Sequence, residues 1–383
     1  MDNVESFIQK FGGLTESYAF YDGTIELRFD TVKHVYLLVQ SDGTLKEVDG
    51  VTSTCHIIDK SVVLLPWACK MMQQKLLNSL IPYLADENPE YVIKVVELED
   101  LIAKAKTAHK EKLEDAGEVG KYAHAWIEEY IKAKLDEDHI KYEQLTKDFP
   151  TDDRAQNACI ATLDWIHRHN VRFIATERKV YSRKFQYAGT MDGLAKVDSC
   201  NNPLCCPTAF KDHLAIVDWK TSNYLFPEFI MQTASYEAAY EEETGTDVQD
   251  RFIVRLGKDD AKFEVWHLTD ETFKQDFETF LAALLLKREF AALEARLEIL
   301  KDIYKQGKKQ EKKDALLKKC KKADKYTGKR KSTCNTDGTQ CESCKKKHEE
   351  YLANKPVKVK KTKKVKLTDH EVIKSLQDLL KSA

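Results

Sequence analysis

The chain has 383 residues, 42% of them apolar, enough for two or three domains with proper cores. No run of about 18 apolar residues occurs, so no membrane span or membrane partner is expected, and ten unevenly placed cysteines in so large a chain do not read as a secreted disulfide scaffold. The net charge of −2 conceals a polarised chain: residues 301–383 carry 26 Lys and Arg against 11 Asp and Glu, and the remainder carries 35 against 52.

Met1–Gly13 lacks both a basic start with an apolar block and an Arg-rich, acid-poor composition, so neither a secretory signal nor a mitochondrial transit peptide is expected. Val4–Phe11 suits a short helix. Residues Ile25–Val48 read as strands with turns at Asp22-Gly23 and Asp42-Gly43. Val51-Thr-Ser-Thr54 opens a new segment, followed by a helix over Leu64–Leu77, on which Trp67 packs in the core or stacks on a base. Helical patterns follow over Pro89–Ala116 and Glu118–Leu135, with Gly117 and Gly120 at the junction. Gly117-Glu-Val-Gly-Lys121 superficially resembles a phosphate-binding loop, but no strand precedes it and no Ser or Thr follows the lysine, so no nucleotide cofactor is expected. Asp152–Asn170 is a further helix, with Cys159, Leu163 and Ile166 on one face, leading into a strand over Val171–Tyr181.

The centre of the chain carries the chemistry. Gly189-Thr-Met-Asp192 follows a short hairpin connection, and the apolar run Leu214–Val217 leads into Asp218-Trp-Lys220. Side chains alternate along a strand, so Asp218 and Lys220 share a face while Trp219 points to the other. Two carboxylates can hold a hard divalent ion such as Mg²⁺ or Mn²⁺, and an adjacent ammonium can orient or help deprotonate a water attacking an anionic phosphodiester. A helix over Glu228–Glu243 aligns Gln232, Tyr236 and Tyr240 at spacings of four. Strands over Arg251–Leu256 and Lys262–Leu268 precede a helix over Thr269–Lys305, whose stripe of Phe273, Phe277, Leu281, Leu284 and Leu285 is core packing.

Two cysteine groups remain. Cys200, Cys205 and Cys206 lie in a Pro-containing insertion between the two acid-bearing strands, with His213 close behind. In the basic tail, Cys320, Cys334, Cys341 and Cys344 supply a structural Zn²⁺ site or remain free thiols; Cys341-x-x-Cys344 is a suitable zinc bite. The tail itself is a phosphate-binding arm or a solvated charge run. Beyond Pro356 a Lys/Val linker leads to a capping box, Thr368-Asp-His-Glu371, and an apolar stripe of Val372, Ile373, Leu376, Leu379 and Leu380, a short helix expected to dock on its own domain or on a partner protein.

Taken in order, these motifs resemble the RecB-type exonuclease branch of the PD-(D/E)XK nuclease superfamily, which includes CRISPR-associated adaptation nucleases, the mitochondrial genome-maintenance exonuclease and stand-alone phage enzymes. That pattern is a helical histidine, a glutamate, Gly-x-x-Asp, Asp/Glu-x-Lys and Gln-x-x-x-Tyr. Here His124 in Gly120-Lys-Tyr-Ala-His124, Glu177, Asp192, Asp218 with Lys220, and Gln232 with Tyr236 match it over about residues 30–270. The resemblance implies His124, Asp192 and Asp218 as metal ligands, Lys220 as the group acting on water, Glu177 at the site, and Gln232 and Tyr236 as supports and strand contacts. Some relatives carry an iron–sulfur cluster pinning the tail to an N-terminal cysteine; the tail spacing here departs from that pattern, and zinc is expected ahead of it.

The expected fold is therefore α/β, a mixed central sheet flanked by helices: an N-terminal hairpin and helical wall (1–116), a nuclease core (117–300), a Lys-rich, Cys-containing extension (301–366) and a docking helix (367–383). The expected function is metal-dependent hydrolysis of DNA, on single strands or ends, in a bacterial or phage-infected host cytoplasm. Two rival readings stay open: a nucleic-acid-binding protein on a nuclease scaffold, and an interaction subunit of a replication, recombination or packaging complex.

Overall fold

The computed structural model describes residues 15–80, 95–200 and 202–327, with side chains described from 15 to 312 apart from residue 95 within these spans. The short helix expected at Val4–Phe11 and the terminal docking helix lie outside them. The chain divides into two compact units, 1–288 and 289–383.

The first unit is built on a nine-stranded mixed sheet flanked by helices. The strands are β1 (Thr15–Phe20), β2 (Ile25–Asp30), β3 (Val35–Val39), β4 (Leu45–Gly50), β5 (Arg172–Ser182), β6 (Tyr187–Val197), β7 (His213–Lys220), β8 (Asp250–Leu256) and β9 (Phe263–Thr269). Their order is β1-β2-β3-β4-β6-β7-β8-β9, with β5 also paired to β6. β6 runs antiparallel to both β5 and β7, β7 runs parallel to β8, and β9 closes antiparallel. The N-terminal hairpins belong to this same sheet. β4 pairs in parallel with β6 through Asp49–Gly50 and Tyr187–Ala188, which satisfies a strand edge that would otherwise be exposed and makes the sheet continuous.

The alternation along β7 sets the layers. Ala215, Val217 and Trp219 enter one core beneath helices α4 (Ala108–Leu135) and α6 (Asp153–Arg168), while Leu214 and Ile216 enter the opposite core beneath α7 (Glu228–Thr244) and α1 (Val51–Cys55). Phe277, Phe280, Leu281 and Leu284, from the start of α8 (Asp270–Thr327), complete that second core. Among the described residues the remaining helices are α2 (Ser61–Leu80), α3 (Val95–Ala105) and α5 (His139–Leu145). Trp67 lies on α2, a helix without a buried residue, so it does not enter the core.

Local chemistry explains the flanking helices. Asp152 caps α6 by accepting hydrogen bonds from the backbone N–H groups of Arg154 and Ala155, and Ala155, Ala158, Cys159, Thr162 and Trp165 form its buried stripe. α7 ends at Gly245, which takes the left-handed conformation (φ +66°) that glycine adopts without strain. The junction expected at Gly117 and Gly120 is absent. α4 runs through both glycines, and the helix break falls instead between Ala105 and Ala108. A helical glycine costs about 1 kcal/mol against alanine, and burial of the stripe Val119, Ala123, Trp126, Ile127, Tyr130 and Ile131 outweighs that cost. Gly120 has its own reason: a Cβ there would stand 2.9 Å from Thr221 Oγ1, so the missing side chain lets α4 approach the end of β7.

In the second unit the described residues, 289–327, are helical. Phe290, Leu293, Leu297, Leu300 and Tyr304 recur at alternating spacings of three and four and are all exposed.

Candidate active site and a cysteine–histidine cluster

The antiparallel register of β6 and β7 matches Gly193 to Val217, which brings the preceding Asp192 alongside Asp218 and Trp219. The Trp219 N–H donates to Asp192 Oδ2 at 2.9 Å. From α4, His124 Nδ1 approaches the same oxygen at 3.9 Å. Lys220 Nζ lies 2.6 Å from Asp218 Oδ2 and donates to Gln232 Oε1 at 3.2 Å, and Gln232 Nε2 donates to the Tyr236 hydroxyl at 2.8 Å. The Phe229 ring lies 4.6 Å from the same ammonium. Tyr236 is buried in the second core, directed at Gln232 rather than at open surface. It fits because Gly189 has no side chain: a Cβ there would stand 2.6 Å from Tyr236 Cε1. The spacing Gln232-x-x-x-Tyr236 is thus one turn of α7 that links the lysine to the core.

Glu177 sits on β5 with φ +49°, a left-handed conformation uncommon for a residue with a side chain and worth about 1–2 kcal/mol of strain. It falls between the pairs Thr176–Gly193 and Arg178–Met191, on the strand beside Asp192. Burial lifts its carboxyl to about 7, and the nearby charge of Asp192 adds to the rise. Burial likewise raises Asp218 to about 7, with Lys220 opposing and Asp192 reinforcing the shift. For Lys220, burial favours loss of the proton, but the charges of Asp218 and Asp192 outweigh it and hold the ammonium above its ordinary range.

This donor set fits a hard divalent cation. Three carboxyl groups against one ammonium leave surplus negative charge. Both Asp218 oxygens are buried, and the Lys220 ammonium, 2.6 Å away, meets Oδ2 alone. One ammonium shared between Asp218 and Asp192 leaves buried carboxylate lone pairs that are costly unless further positive charge meets them. Of the three expected metal ligands, His124 and Asp192 approach to 3.9 Å, but His124, Asp192 and Asp218 do not form a group with all ligand atoms within 4.8 Å of one another.

Among the described residues, a single set of three or more potential ligands has its atoms all within 4.8 Å of one another: His169, Cys200, Cys205 and Cys206. The sequence pointed to the three thiols, but to His213 as their neighbour. His213 Nδ1 instead donates to Asp250 Oδ2 at 2.8 Å, while His169 Nε2 lies 3.2 Å from Cys205 Sγ. The available signal was the odd thiol count in Cys200-x₄-Cys205-Cys206, which calls for a fourth ligand, and the histidines 167 and 169 at the end of the preceding helix. Of the tail cysteines, Cys334, Cys341 and Cys344 lie outside the described residues, and Cys320 lies on α8 beyond the described side chains.

Compared with known proteins, the chain matches no family model and no curated protein sequence.

Proposed function

We propose that this chain is a metal-dependent deoxyribonuclease of PD-(D/E)XK type, acting as an exonuclease on single strands or DNA ends. The observation that carries the reading is that Asp192 and Asp218 meet across two neighbouring strands, with Lys220 against Asp218, His124 against Asp192 and the raised carboxyl of Glu177 beside Asp192. The order helix, three antiparallel strands, helix, parallel strand (α4 to β8, with α5 and α6 intervening) supports it further. Asp192, Asp218 and His124 would hold Mg²⁺ or Mn²⁺. Bound there, the ion would neutralise phosphate charge and acidify its water. Lys220, kept charged by two aspartates and aimed by Gln232, acts as a donor that orients the water and meets negative charge on the phosphate. Glu177, lifted to about 7, is matched to accept the proton of that water near neutrality.

The test is digestion of end-labelled single-stranded, double-stranded and closed circular DNA with Mg²⁺ or Mn²⁺, by the parent chain and by Asp218→Ala and Lys220→Ala. Cleavage by the parent, abolished in both variants with fold and DNA binding retained, is the expected result. Undiminished cleavage by either variant removes the site assignment. An inactive parent removes the nuclease reading, and rapid cutting of circles replaces exonuclease with endonuclease.

A further inference from the structure

We infer that His169, Cys200, Cys205 and Cys206 form a structural zinc site that fastens the β6–β7 connection to the end of α6. The inference is independent of the nuclease reading. Four tetrahedral bonds of about 2.0–2.3 Å place ligand atoms about 3.5–3.8 Å apart. Two separations fall in this range, 3.6 Å from Cys200 Sγ to Cys206 Sγ and 3.8 Å between Cys206 Sγ and Cys205 Sγ; His169 Nε2 to Cys205 Sγ is shorter at 3.2 Å, and all four ligand atoms lie within 4.8 Å of one another. A disulfide needs sulfurs about 2.05 Å apart, and all three cysteines are free. An iron–sulfur cluster would spread its ligands over separate iron atoms, beyond a set confined within 4.8 Å.

The surroundings are those of a metal site. His169 is fully buried, and its Nδ1 lies 2.8 Å from the Trp165 carbonyl. Donation to that carbonyl fixes the tautomer in which Nε2 faces the thiols, the usual outer contact of a zinc-bound histidine. The ring also stacks on Trp165 with centroids 4.8 Å apart. The Cys200 N–H donates to Cys206 Sγ at 3.4 Å, and the N–H groups of Cys205 and Cys206 both donate to the Asn202 carbonyl, a turn that presents the two sulfurs together. Three soft thiolates and an imidazole in tetrahedral reach select zinc over the hard ions suited to the carboxylate site. The ligands all come from the protein, so the position is closed and its role is structural. Val197 pairs with His213 at this end of the strands, five residues from Asp192, or roughly 17 Å. The zinc therefore secures the strand pair at the end opposite the carboxylates and takes no part in the chemistry there.

The experiment uses the full chain in a background where Cys320, Cys334, Cys341 and Cys344 are serine, so that the tail contributes no thiolate. Metal content is measured by mass spectrometry, and native alkylation of each cysteine is mapped with and without a chelator. One zinc per chain, with Cys200, Cys205 and Cys206 at least tenfold slower to alkylate until the chelator is added, is the expected result. Stripped protein titrated with Co²⁺ should develop the visible bands of tetrahedral thiolate-bound cobalt, and Cys206→Ser should lose the zinc. Absence of zinc and of a cobalt spectrum, alkylation indifferent to the chelator, or undiminished zinc in Cys206→Ser overturns the inference. The alkylation and cobalt measurements need no variant at the site, so misfolding of Cys206→Ser leaves them decisive.

Discussion

Glu177→Gln should stabilise the metal-free protein at alkaline pH and do almost nothing in acid. Glu177 is half-buried on β5, and lifting its carboxyl from the usual 4.5 to about 7 costs the ionised form about 3 kcal/mol. Solvent reaching the side chain screens part of this, leaving an expected effect of about 1–2 kcal/mol. The raised value fixes the sign. The contribution of Glu177 to stability is fully present below pH 4.5, where both states are protonated, and is lost as pH rises through 7, where the folded state must carry the charge beside Asp192. Glutamine keeps the shape and the backbone strain at φ +49° but never ionises. The assay is urea unfolding in a chelating buffer at pH 5 and pH 8, followed by tryptophan fluorescence; Trp67, Trp126, Trp165, Trp219 and Trp266 all lie in the first compact unit, so the signal reports that unit alone. The variant should exceed the parent by about 1–2 kcal/mol at pH 8 and by less than half of that at pH 5. Adding Mn²⁺ at pH 8 should narrow the gap, because a cation offsets the charge that glutamine has removed. An identical difference at the two pH values would refute the argument that Glu177 is held against its ionisation.

The other expectations concern the supports around the lysine. Gly189→Ala places a Cβ 2.6 Å from Tyr236 Cε1 and 2.9 Å from Val51 Cγ2, so denaturant melts should show a loss of about 1–3 kcal/mol, accompanied by slower cleavage. Gln232→Ala leaves the buried Tyr236 hydroxyl without its partner and removes the amide that aims Lys220, which keeps its contact with Asp218; a loss of about 1–3 kcal/mol and a fall in turnover smaller than that of Lys220→Ala are expected in parallel melts and digestions. Gly120→Ala should push α4 away from Thr221, weakening cleavage through His124, and Thr221→Ala should restore it in the double variant by removing the Oγ1 that the new methyl meets; a double variant no better than the single one contradicts the close-approach argument.

Much of the central strand and helix pattern could be read locally. Leu214–Val217 before Asp218, and the four-residue spacing of Gln232, Tyr236 and Tyr240, are patterns of one strand and one helix, and they recur as β7 and α7. Contacts set by tertiary register could not be read this way. Asp192 meets Asp218 across an insertion, and nothing local in either segment states that Gly193 pairs with Val217. Gly117 and Gly120 carry the usual signal of a helix break, yet packing keeps α4 continuous, so propensity lost to burial. The N-terminal hairpins gave no sign of joining β6, because two residue pairs make the junction. His169 was hidden for a related reason: at the end of an amphipathic helix it resembles a surface residue, and its meaning depends on a loop thirty residues further on.

The two ends of the β6–β7 pair carry opposite energetic burdens. At one end the chain gathers Asp192, Asp218 and Glu177, buries both Asp218 oxygens with one ammonium against Oδ2 and twists Glu177 into an uncommon backbone conformation. Each of these costs stability in the metal-free state, as functional arrangements commonly do. At the other end the same strands are tied by Asp198 N–H to the His169 carbonyl, by Ser199 to Phe210 in both directions, and by the thiol–imidazole cluster. About 17 Å separates the two ends, so the cluster cannot act on the carboxylates through space. It can act through register: a slip of one residue between β6 and β7 would turn Asp218 and Lys220 toward the α4–α6 core and bring Trp219 to the site. A strongly tied loop makes such a slip expensive, and that is the physical reason for a chain to carry a rigid clamp at the far end of a strand pair whose other end is strained and charged.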